Sequence, residues 1–235
     1  MSMIPDICSM YILLVAATPF EIQPSMDFLE NTPSGQLNHE IGVSVTGIGS
    51  IATTHTLMRH IGRKKPDLII QAGIAGSFLP GRSGDVLVIK EESLADLGVW
   101  EKGHFKTIFD LKLKDKDDFP FSNALLINPY NKLLSLTGLE QVRAVTVNEI
   151  TTDIPRIHWY QQNIHPVVES MEGGGLHYTG LQENIAFLQF RSISNDIGER
   201  DKTKWDFPAA INNLNVHLIT LLLSLNIHDK SIIEK

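Results

Sequence analysis

The chain has 235 residues, of which 43% are hydrophobic and 20% are charged, and its formal net charge is -7. This size and balance are typical of a globular domain, and we expect residues 1–235 to form a single one. The excess of acid argues against a nucleic-acid partner, because such partners are bound by Lys and Arg that neutralise phosphates. The single cysteine, Cys8, excludes an internal disulfide and fits a reducing, cytoplasmic compartment.

Two apolar runs could be mistaken for a targeting segment or a membrane-spanning segment. Tyr11–Ala17 is preceded by Asp6 and by no Lys or Arg. It therefore predicts a buried first strand rather than a leader. Leu214–Ile227 is interrupted by His217 and is too short to cross a bilayer, so it predicts a buried C-terminal helix. We expect no membrane partner.

The chain then alternates predicted strands with predicted helices. Further strands are expected at Ile41–Thr46, Leu68–Gln71, Asp85–Lys90, Val142–Val147, Val167–Ser170 and Ala186–Ser192. Helices are expected from Pro19 towards Glu30, from a Ser50 cap to about Gly62, from Glu172 onwards and over Pro208–Leu225. A polar loop is expected over 148–155. This alternation indicates an α/β sheet.

Two glycine-containing segments follow predicted strands. Gly47-Ile48-Gly49 reads as a turn, and a tight turn and a ligand loop are equally compatible with it. Ala72–Gly76 has four small residues and reads as a loop that forms a ligand wall. Neither segment has the G-x-G-x-x-G pattern, and no G-x-x-x-x-G-K-[ST] occurs, so dinucleotide and triphosphate sites lose their main support.

Candidate polar groups lie in two segments, Glu169–Gly175 and Arg191–Asn195, and in Glu21 after the first strand. Each segment ends an apolar stretch, so each is expected where a strand meets its loop, and open α/β sheets bind ligands at that edge. Glu172 could equally be a carboxylate that favours a helix N-terminus, and Glu21 a solvated first-turn acid. Together, these carboxylates, an amide and a guanidinium suit a sugar joined to a flat heterocycle.

At these residues the chain resembles the nucleoside phosphorylase/nucleosidase superfamily. The resemblance rests on Glu21, Thr46–Gly49, Ala72–Gly76, the Met-Glu-Gly motif at 171–173 and Arg191–Asn195. It implies a three-layer α/β/α sandwich with a mixed central sheet. It also implies a homo-oligomer, dimer or higher, that acts on a small-molecule nucleoside with neither a metal nor an organic cofactor.

The resemblance implies a role for each motif residue. Glu21 matches the acid that orients the attacking water, and Arg191 matches an arginine beside that nucleophile. Glu172 matches the acid that holds the ribose hydroxyls, and Met171 matches a residue that packs against the sugar. Asn195 lies where adenosine-type nucleosidases carry an aspartate that contacts the base.

Four further residues are predicted to contact the substrate by the same resemblance. Gly73 and Ile74 belong to the small-residue segment, and Thr146 and Ile150 to the predicted wall of the base site. Many relatives have Ser or Thr where this chain has Ile74. The apolar side chain favours hydrolysis over phosphorolysis, since it cannot hydrogen-bond a phosphate.

The amide at Asn195 points to the nature of the base. A 6-aminopurine protonated at N7 presents two donors, which a carboxylate can accept. A 6-oxopurine protonated at N7 presents one donor and one acceptor, which an amide matches. Because complementarity in the transition state affects the rate, Asn195 favours a hypoxanthine- or guanine-like leaving group.

The sequence thus predicts a purine nucleosidase that hydrolyses the N-glycosidic bond of a hypoxanthine-bearing nucleoside. Alternatives within the class are a methylthioadenosine/adenosylhomocysteine nucleosidase and a purine nucleoside phosphorylase. Outside it, a nucleoside-binding protein without catalysis is the alternative. The joint presence of Glu21, Glu172 and Arg191 favours an enzyme.

Overall fold

The computed structural model describes residues 9–33, 35–225 and 230–235. Cys8 and Ile227 lie outside these residues. The strands are β1 (Tyr11–Ala16), β2 (Glu40–Val45), β3 (Leu68–Ser77), β4 (Val86–Leu94), β5 (Gly98–Glu101), β6 (His104–Thr107), β7 (Leu126–Ile127), β8 (Gln141–Thr146), β9 (Val168–Ser170) and β10 (Ala186–Asp196). The helices are α1 (Pro19–Asn31), α2 (Ser50–Arg63), α3 (Asn131–Leu136), α4 (Ile154–Asn163), α5 (Gly173–Gln182) and α6 (Phe207–Leu225).

The central sheet is mixed and partly closed on itself. Its order is β10-β4-β8-β9-β3-β1-β2, with β7 on β4, and β10 also pairs with β3. Five strands (β3, β9, β8, β4 and β10) therefore form a ring, from which β1 and β2 extend. Parallel pairs such as β1 with β3 coexist with antiparallel pairs such as β3 with β9, and β5 and β6 form a separate hairpin. This confirms the predicted mixed α/β fold.

The helices pack in pairs against the sheet and complete the α/β/α layers. Helix α1 packs on α6, and α2 packs on α5. Helix α6 is long and apolar enough to cross a membrane by length and composition alone. Packing accounts for one face of the helix, since Leu214, Leu218 and Leu225 are fully buried against the core, whereas Val216 and Leu223 are exposed. The helix spans Phe207–Leu225, within one residue of the predicted Pro208–Leu225.

Strand β10 contains a bulge that changes which face its side chains occupy. Ile193 pairs with Ala75 and Asn195 pairs with Gly76, so Ser194 is an extra residue between them. Arg191 pairs with Gly73, three residues before Gly76 on β3. Since alternate residues of a strand face opposite sides, the bulge places Arg191 and Asn195 on opposite faces of the sheet.

The prediction that Ala72–Gly76 is a loop was wrong, because this segment continues β3 to Ser77. Its small residues are explained by close packing. A side chain at Gly73 would meet Arg191 and Glu21, and one at Gly76 would collide with Ile197.

Three other boundaries also differ from the sequence-based expectation. Arg191–Asn195 lies inside β10, which ends only at Asp196, rather than where a strand meets its loop. The cap of α2 is Gly49, whose φ of +92° favours glycine, whereas Ser50 is the first helical residue. The loop expected over 148–155 ends earlier, because Asp153 caps α4 through the amide of Arg156.

Candidate active site

A cavity of about 560 Å³ opens where β1, β3, β9 and β10 end. Its lining combines acids, an amide and a large apolar surface. The lining residues are Ala17, Thr18, Phe20, Glu21, Ile48, Ile74, Ala75, Gly76, Ile150, Glu169, Ser170, Met171, Glu172, Ser194, Asn195, Ile197, Lys202, Trp205 and Phe207. The predicted residues Glu21, Glu172 and Asn195 thus lie around one cavity.

Glu21 is positioned by the first turn of α1. Thr18 is the helix cap, and its amide and hydroxyl donate to Glu21 Oε2 at 3.0 and 3.1 Å. The amide of Ile74 donates to Oε1 at 3.1 Å. Glu21 is 6% exposed, and this burial raises the pKa of its carboxyl, although Arg191 and these amides oppose the shift. A raised pKa makes the carboxylate a stronger base near neutral pH.

Glu172 and Arg191 form a buried ion pair beside Glu21. Arg191 Nη1 donates to Glu172 Oε2 at 3.2 Å, and the side chains are 2% and 8% exposed. The amide of Gly49 donates to Glu172 Oε1 at 3.1 Å, while Arg191 Nη2 donates to Gln71 at 3.1 Å. Each carboxylate oxygen of Glu172 keeps a lone pair free, so the acid can still accept from a ligand hydroxyl.

Glu21 and Arg191 converge on Gly73. A Cβ at this position would lie 2.5 Å from Arg191 Nη1 and 2.9 Å from Glu21 Oε1. The absence of a side chain at Gly73 therefore allows the guanidinium to lie close to both carboxylates. One positive charge beside two negative charges leaves the cluster net negative, which suits a cationic transition state.

Asn195 presents a fixed amide to the same cavity. The hydroxyl of Ser194 donates to Asn195 Oδ1 at 2.8 Å, and Asn195 Nδ2 donates to the carbonyl of Asp196 at 2.9 Å. These contacts define which end of the amide accepts and which donates. Each end retains capacity for one further hydrogen bond.

The other predicted residues divide between the cavity wall and the layer behind it. Met171, Ile74 and Ile150 line the cavity. Thr146 is 2% exposed and its hydroxyl accepts from the amide of Gly174, so it supports the start of α5. Arg191 and Gly73 also lie behind the lining. Their roles in substrate binding stay predictions.

Sequence reasoning missed the apolar rim of the cavity. Phe20 packs edge-on against Phe207 at 6.4 Å between ring centroids, and Phe207 packs against Trp205 at 5.3 Å. Phe20 belongs to α1, whereas Trp205 and Phe207 lie just before and at the start of α6, far away in the chain. No local pattern marks such a rim.

Comparison with known proteins gives the class. The sequence model of the Phosphorylase superfamily matches residues 12–225, and the chain belongs to this superfamily. A futalosine hydrolase of Acidothermus cellulolyticus is 27% identical over 213 residues, which cover 86% of this chain and 85% of the relative.

Two solved structures have a similar fold. A 5′-methylthioadenosine/S-adenosylhomocysteine nucleosidase of Helicobacter pylori has a TM-score of 0.77 and 17% identity, covering 93% of this chain and 100% of that one. The futalosine hydrolase of Helicobacter pylori has a TM-score of 0.76 and 17% identity, covering 92% and 98%. At this identity the likeness shows the fold alone.

Proposed function

We propose that this protein hydrolyses the N-glycosidic bond of futalosine to give hypoxanthine and dehypoxanthine futalosine, a reaction of menaquinone biosynthesis. The observation that carries the proposal is the meeting of Glu21, Glu172 and the Asn195 amide around one cavity. The similarity to a futalosine hydrolase over 86% of the chain supports the same choice. The segments 95–99 and 193–201 also resemble that branch of the superfamily.

The acids act on the sugar side of the reaction. Glu21 holds a water and accepts its proton as the water attacks the anomeric carbon. Its raised pKa favours that proton transfer. Glu172 accepts hydrogen bonds from the ribose hydroxyls, and both carboxylates stabilise the oxocarbenium-like transition state. Arg191 keeps Glu172 in position and balances part of the buried negative charge.

Asn195 acts on the leaving group. As the bond breaks, negative charge develops on the purine, and a hydrogen bond at N7 stabilises it. The amide cannot supply the N7 proton, which comes from solvent or another acid. Once N7 is protonated, the amide can accept from N7–H while it donates to O6, which matches hypoxanthine. An aspartate would instead match the two donors of adenine.

Two features of the cavity argue against a phosphorylase and against a binding protein without catalysis. Ile74 presents an apolar side chain in the cavity wall, which supports hydrolysis rather than phosphorolysis. The pair Glu21 and Glu172 is held by amides and a guanidinium, an arrangement that a binding protein without catalysis does not require.

We also propose that the protein works in the cytoplasm as a homo-oligomer. The cavity rim supports self-association, because Phe20 is 61% exposed, Ile48 is 64% exposed and the neighbouring Ile51 is 83% exposed. Large apolar side chains clustered at a rim are typical of surfaces that a partner covers. The mass in solution, measured by sedimentation, tests this.

The test of the activity is hypoxanthine release from futalosine in phosphate-free buffer, with inosine and methylthioadenosine in parallel. We expect release from futalosine without added phosphate. A requirement for phosphate would make the protein a phosphorylase, and release from methylthioadenosine alone would make it a nucleosidase of the other type. Tight binding without release of any base would leave a binding protein.

A further inference from the structure

We propose that Lys202 and the aromatic rim of the cavity form a subsite for a carboxylate carried on an apolar 5′ substituent of the nucleoside. The inference rests on the proposed function, because it concerns the part of the substrate that neither the sugar contacts nor the base contact uses. It assigns the chemical class of that substituent and a residue that distinguishes it from an uncharged one.

The aromatic rim gives this part of the cavity an apolar surface. Phe20, Trp205 and Phe207 all line the cavity. Phe207 contacts the other two rings, at 6.4 and 5.3 Å between centroids. The indole N–H of Trp205 already donates to the carbonyl of Glu199 at 3.1 Å, so this ring offers a ligand its apolar face. Such a surface suits a flat hydrocarbon group better than a hydroxyl.

Lys202 brings a positive charge to the same cavity. Among the described residues that line it, Lys202 is the one cation. The lining acids are Glu21, Glu169 and Glu172. An anionic ligand would be repelled by these acids, and a lysine near its negative group offsets that repulsion. The position of Lys202 therefore favours a ligand whose negative charge lies away from the acids, at the rim.

Local contacts hold the segment that carries Lys202. This residue begins the short 3-10 helix Lys202–Lys204, and Asp201 caps it by accepting from the amide and the hydroxyl of Thr203 at 3.0 and 2.7 Å. Lys204 pairs with Glu199 at 2.7 Å. Asp201 and Lys204 are thus engaged within the segment, whereas Lys202 is exposed, lines the cavity and pairs with no acid in the described part of the chain.

An aromatic carboxylate fits this combination of groups. Its flat ring packs against the rim, and its single negative charge is balanced by one lysine. A phosphate would carry up to two negative charges towards one cation and several acids, so the cavity favours the carboxylate. Futalosine has this form, because its 5′ chain ends in a benzoate. Inosine and methylthioadenosine have no charge at the 5′ end.

The carboxamide of futalosine separates the charge of this group from its shape. In the wild type we expect kcat/KM for futalosine to exceed that for the carboxamide by about threefold to tenfold, because an ion pair near solvent contributes modestly. In Lys202→Met this preference should disappear, since methionine keeps the apolar stem without the charge. Lys202→Arg should retain the preference, because the charge remains.

Lys204→Met is the matched control. It removes the same charge two residues away, from a side chain that is 63% exposed and pairs with Glu199. Lys204 is not among the residues that line the cavity. We expect this variant to keep the wild-type preference for futalosine over the carboxamide. Melting temperatures of all four proteins show whether any change affects the fold.

The outcomes separate this inference from the proposed function. If the wild type hydrolyses futalosine and Lys202→Met keeps the preference for it over the carboxamide, the inference is overturned and the function stands. Equal loss of the preference in Lys204→Met would also overturn it, because the effect would then come from net charge.

A wild type that releases no hypoxanthine would disprove the function, and calorimetry with intact futalosine and its carboxamide then decides the inference. Stronger binding of futalosine that is lost in Lys202→Met would support it. Equal affinities, or no binding of either compound, would overturn it.

Discussion

At the scale of single residues, the proposed base contact depends on an amide whose partners are neighbours in the chain. Asn195 is held by Ser194 and by the Asp196 carbonyl, so its amide presents one defined acceptor and one defined donor. A change at this residue should therefore alter base preference more than it alters the fold.

Asn195→Asp tests that expectation. A carboxylate accepts from both N7–H and the amino group of adenine, but it repels O6 of hypoxanthine. We expect the ratio of kcat/KM for the 6-amino analogue over that for futalosine to rise by about tenfold or more. Steady-state assays with the two nucleosides measure this ratio. Asn195→Ala is the control, since it should slow both reactions without reversing the preference; an unchanged ratio in Asn195→Asp would contradict the assignment.

Gly73 provides a second test at this scale. A methyl group in Gly73→Ala would lie 2.5 Å from Arg191 Nη1, so the guanidinium or the strand must shift. We expect kcat to fall by at least about tenfold, because misplacement by about 1 Å costs catalysis heavily. Gly62→Ala is the control, since nothing lies within 4 Å of its added methyl group. Normal turnover by Gly73→Ala would show that Arg191 need not lie close to Glu21.

At the scale of elements, Asn215 of α6 fixes the position of α1. It is 2% exposed. Its Oδ1 accepts from the amide and hydroxyl of Ser25 at 3.0 and 2.6 Å, and its Nδ2 donates to the Glu21 carbonyl at 2.9 Å. A contact across 194 residues of sequence thus positions the backbone that carries the proposed base.

We expect Asn215→Leu to lower both stability and kcat. The Ser25 amide, the Ser25 hydroxyl and the Glu21 carbonyl would lose their partner. Each loss lowers the free energy of unfolding by at most about 1–3 kcal/mol, and by less where the helix can relax. Urea unfolding and steady-state kinetics measure the two effects. Asn212→Leu on the exposed side of the same helix should change neither. If Asn215→Leu lowered stability but left kcat intact, α1 would not need this anchor for catalysis.

The helices and strands show how much of the fold could be predicted from the sequence. Long strands such as β1 and the helix α1 were found almost to the residue, because a buried apolar run and a proline at the first helical turn are local signals. The extent of β3 was missed because its glycines serve contacts with Arg191 and Ile197, which are distant in the chain. The short elements β5–β7, α3 and α4 have too few residues to show a period.

The candidate site shows the same difference between local signals and contacts that are distant in the chain. The carboxylates and the amide could be named because they lie in motifs that resemble those of the superfamily, and their proposed roles stay predictions. The apolar rim of Phe20, Trp205 and Phe207 could not, since only the packing of α1 beside α6 brings it together. Arg191 could be named, but its place behind the lining depends on the strand register.

At the scale of the whole molecule, the closed part of the sheet buries a second polar cluster. Glu92 and His177 are fully buried, and neither Glu92 oxygen has a hydrogen-bond partner among the described residues. Burial raises the pKa of Glu92 from 4.5 to about 7 and lowers the pKa of His177 from 6.5 to about 4. Between these values both groups are neutral in the folded protein.

These two pKa shifts have opposite effects on stability. The contribution of Glu92 is fully present below pH 4.5 and is lost as the pH rises through about 7. The contribution of His177 is present above pH 6.5 and is lost as the pH falls through about 4. From pH 4.5 to 6.5 the two therefore oppose one another in the wild type.

Glu92→Gln removes one of these effects. We expect the free energy of unfolding of the variant to rise with pH between 4.5 and 6.5, with a slope up to about 1.4 kcal/mol per pH unit steeper than in the wild type. Urea unfolding at four or five pH values measures the slope. Glu149→Gln, at an exposed position, should reproduce the wild-type slope; parallel curves for Glu92→Gln would show that Glu92 is not held neutral by the fold.

The bulge at Ser194 separates, along one strand, Arg191 beside the acid proposed to bind the sugar from Asn195, the residue proposed to contact the base. Without it, Arg191 and Asn195, four residues apart, would share a face of the sheet. The extra residue instead turns Asn195 to the side of Glu169 while Arg191 stays with Glu172. Loss of this one residue would turn residue 195 to the other face of the sheet and, under the proposed function, would change the contact with the base while Arg191 stays paired with Glu172. In this fold, a change in leaving group can thus arise by insertion or deletion as well as by substitution.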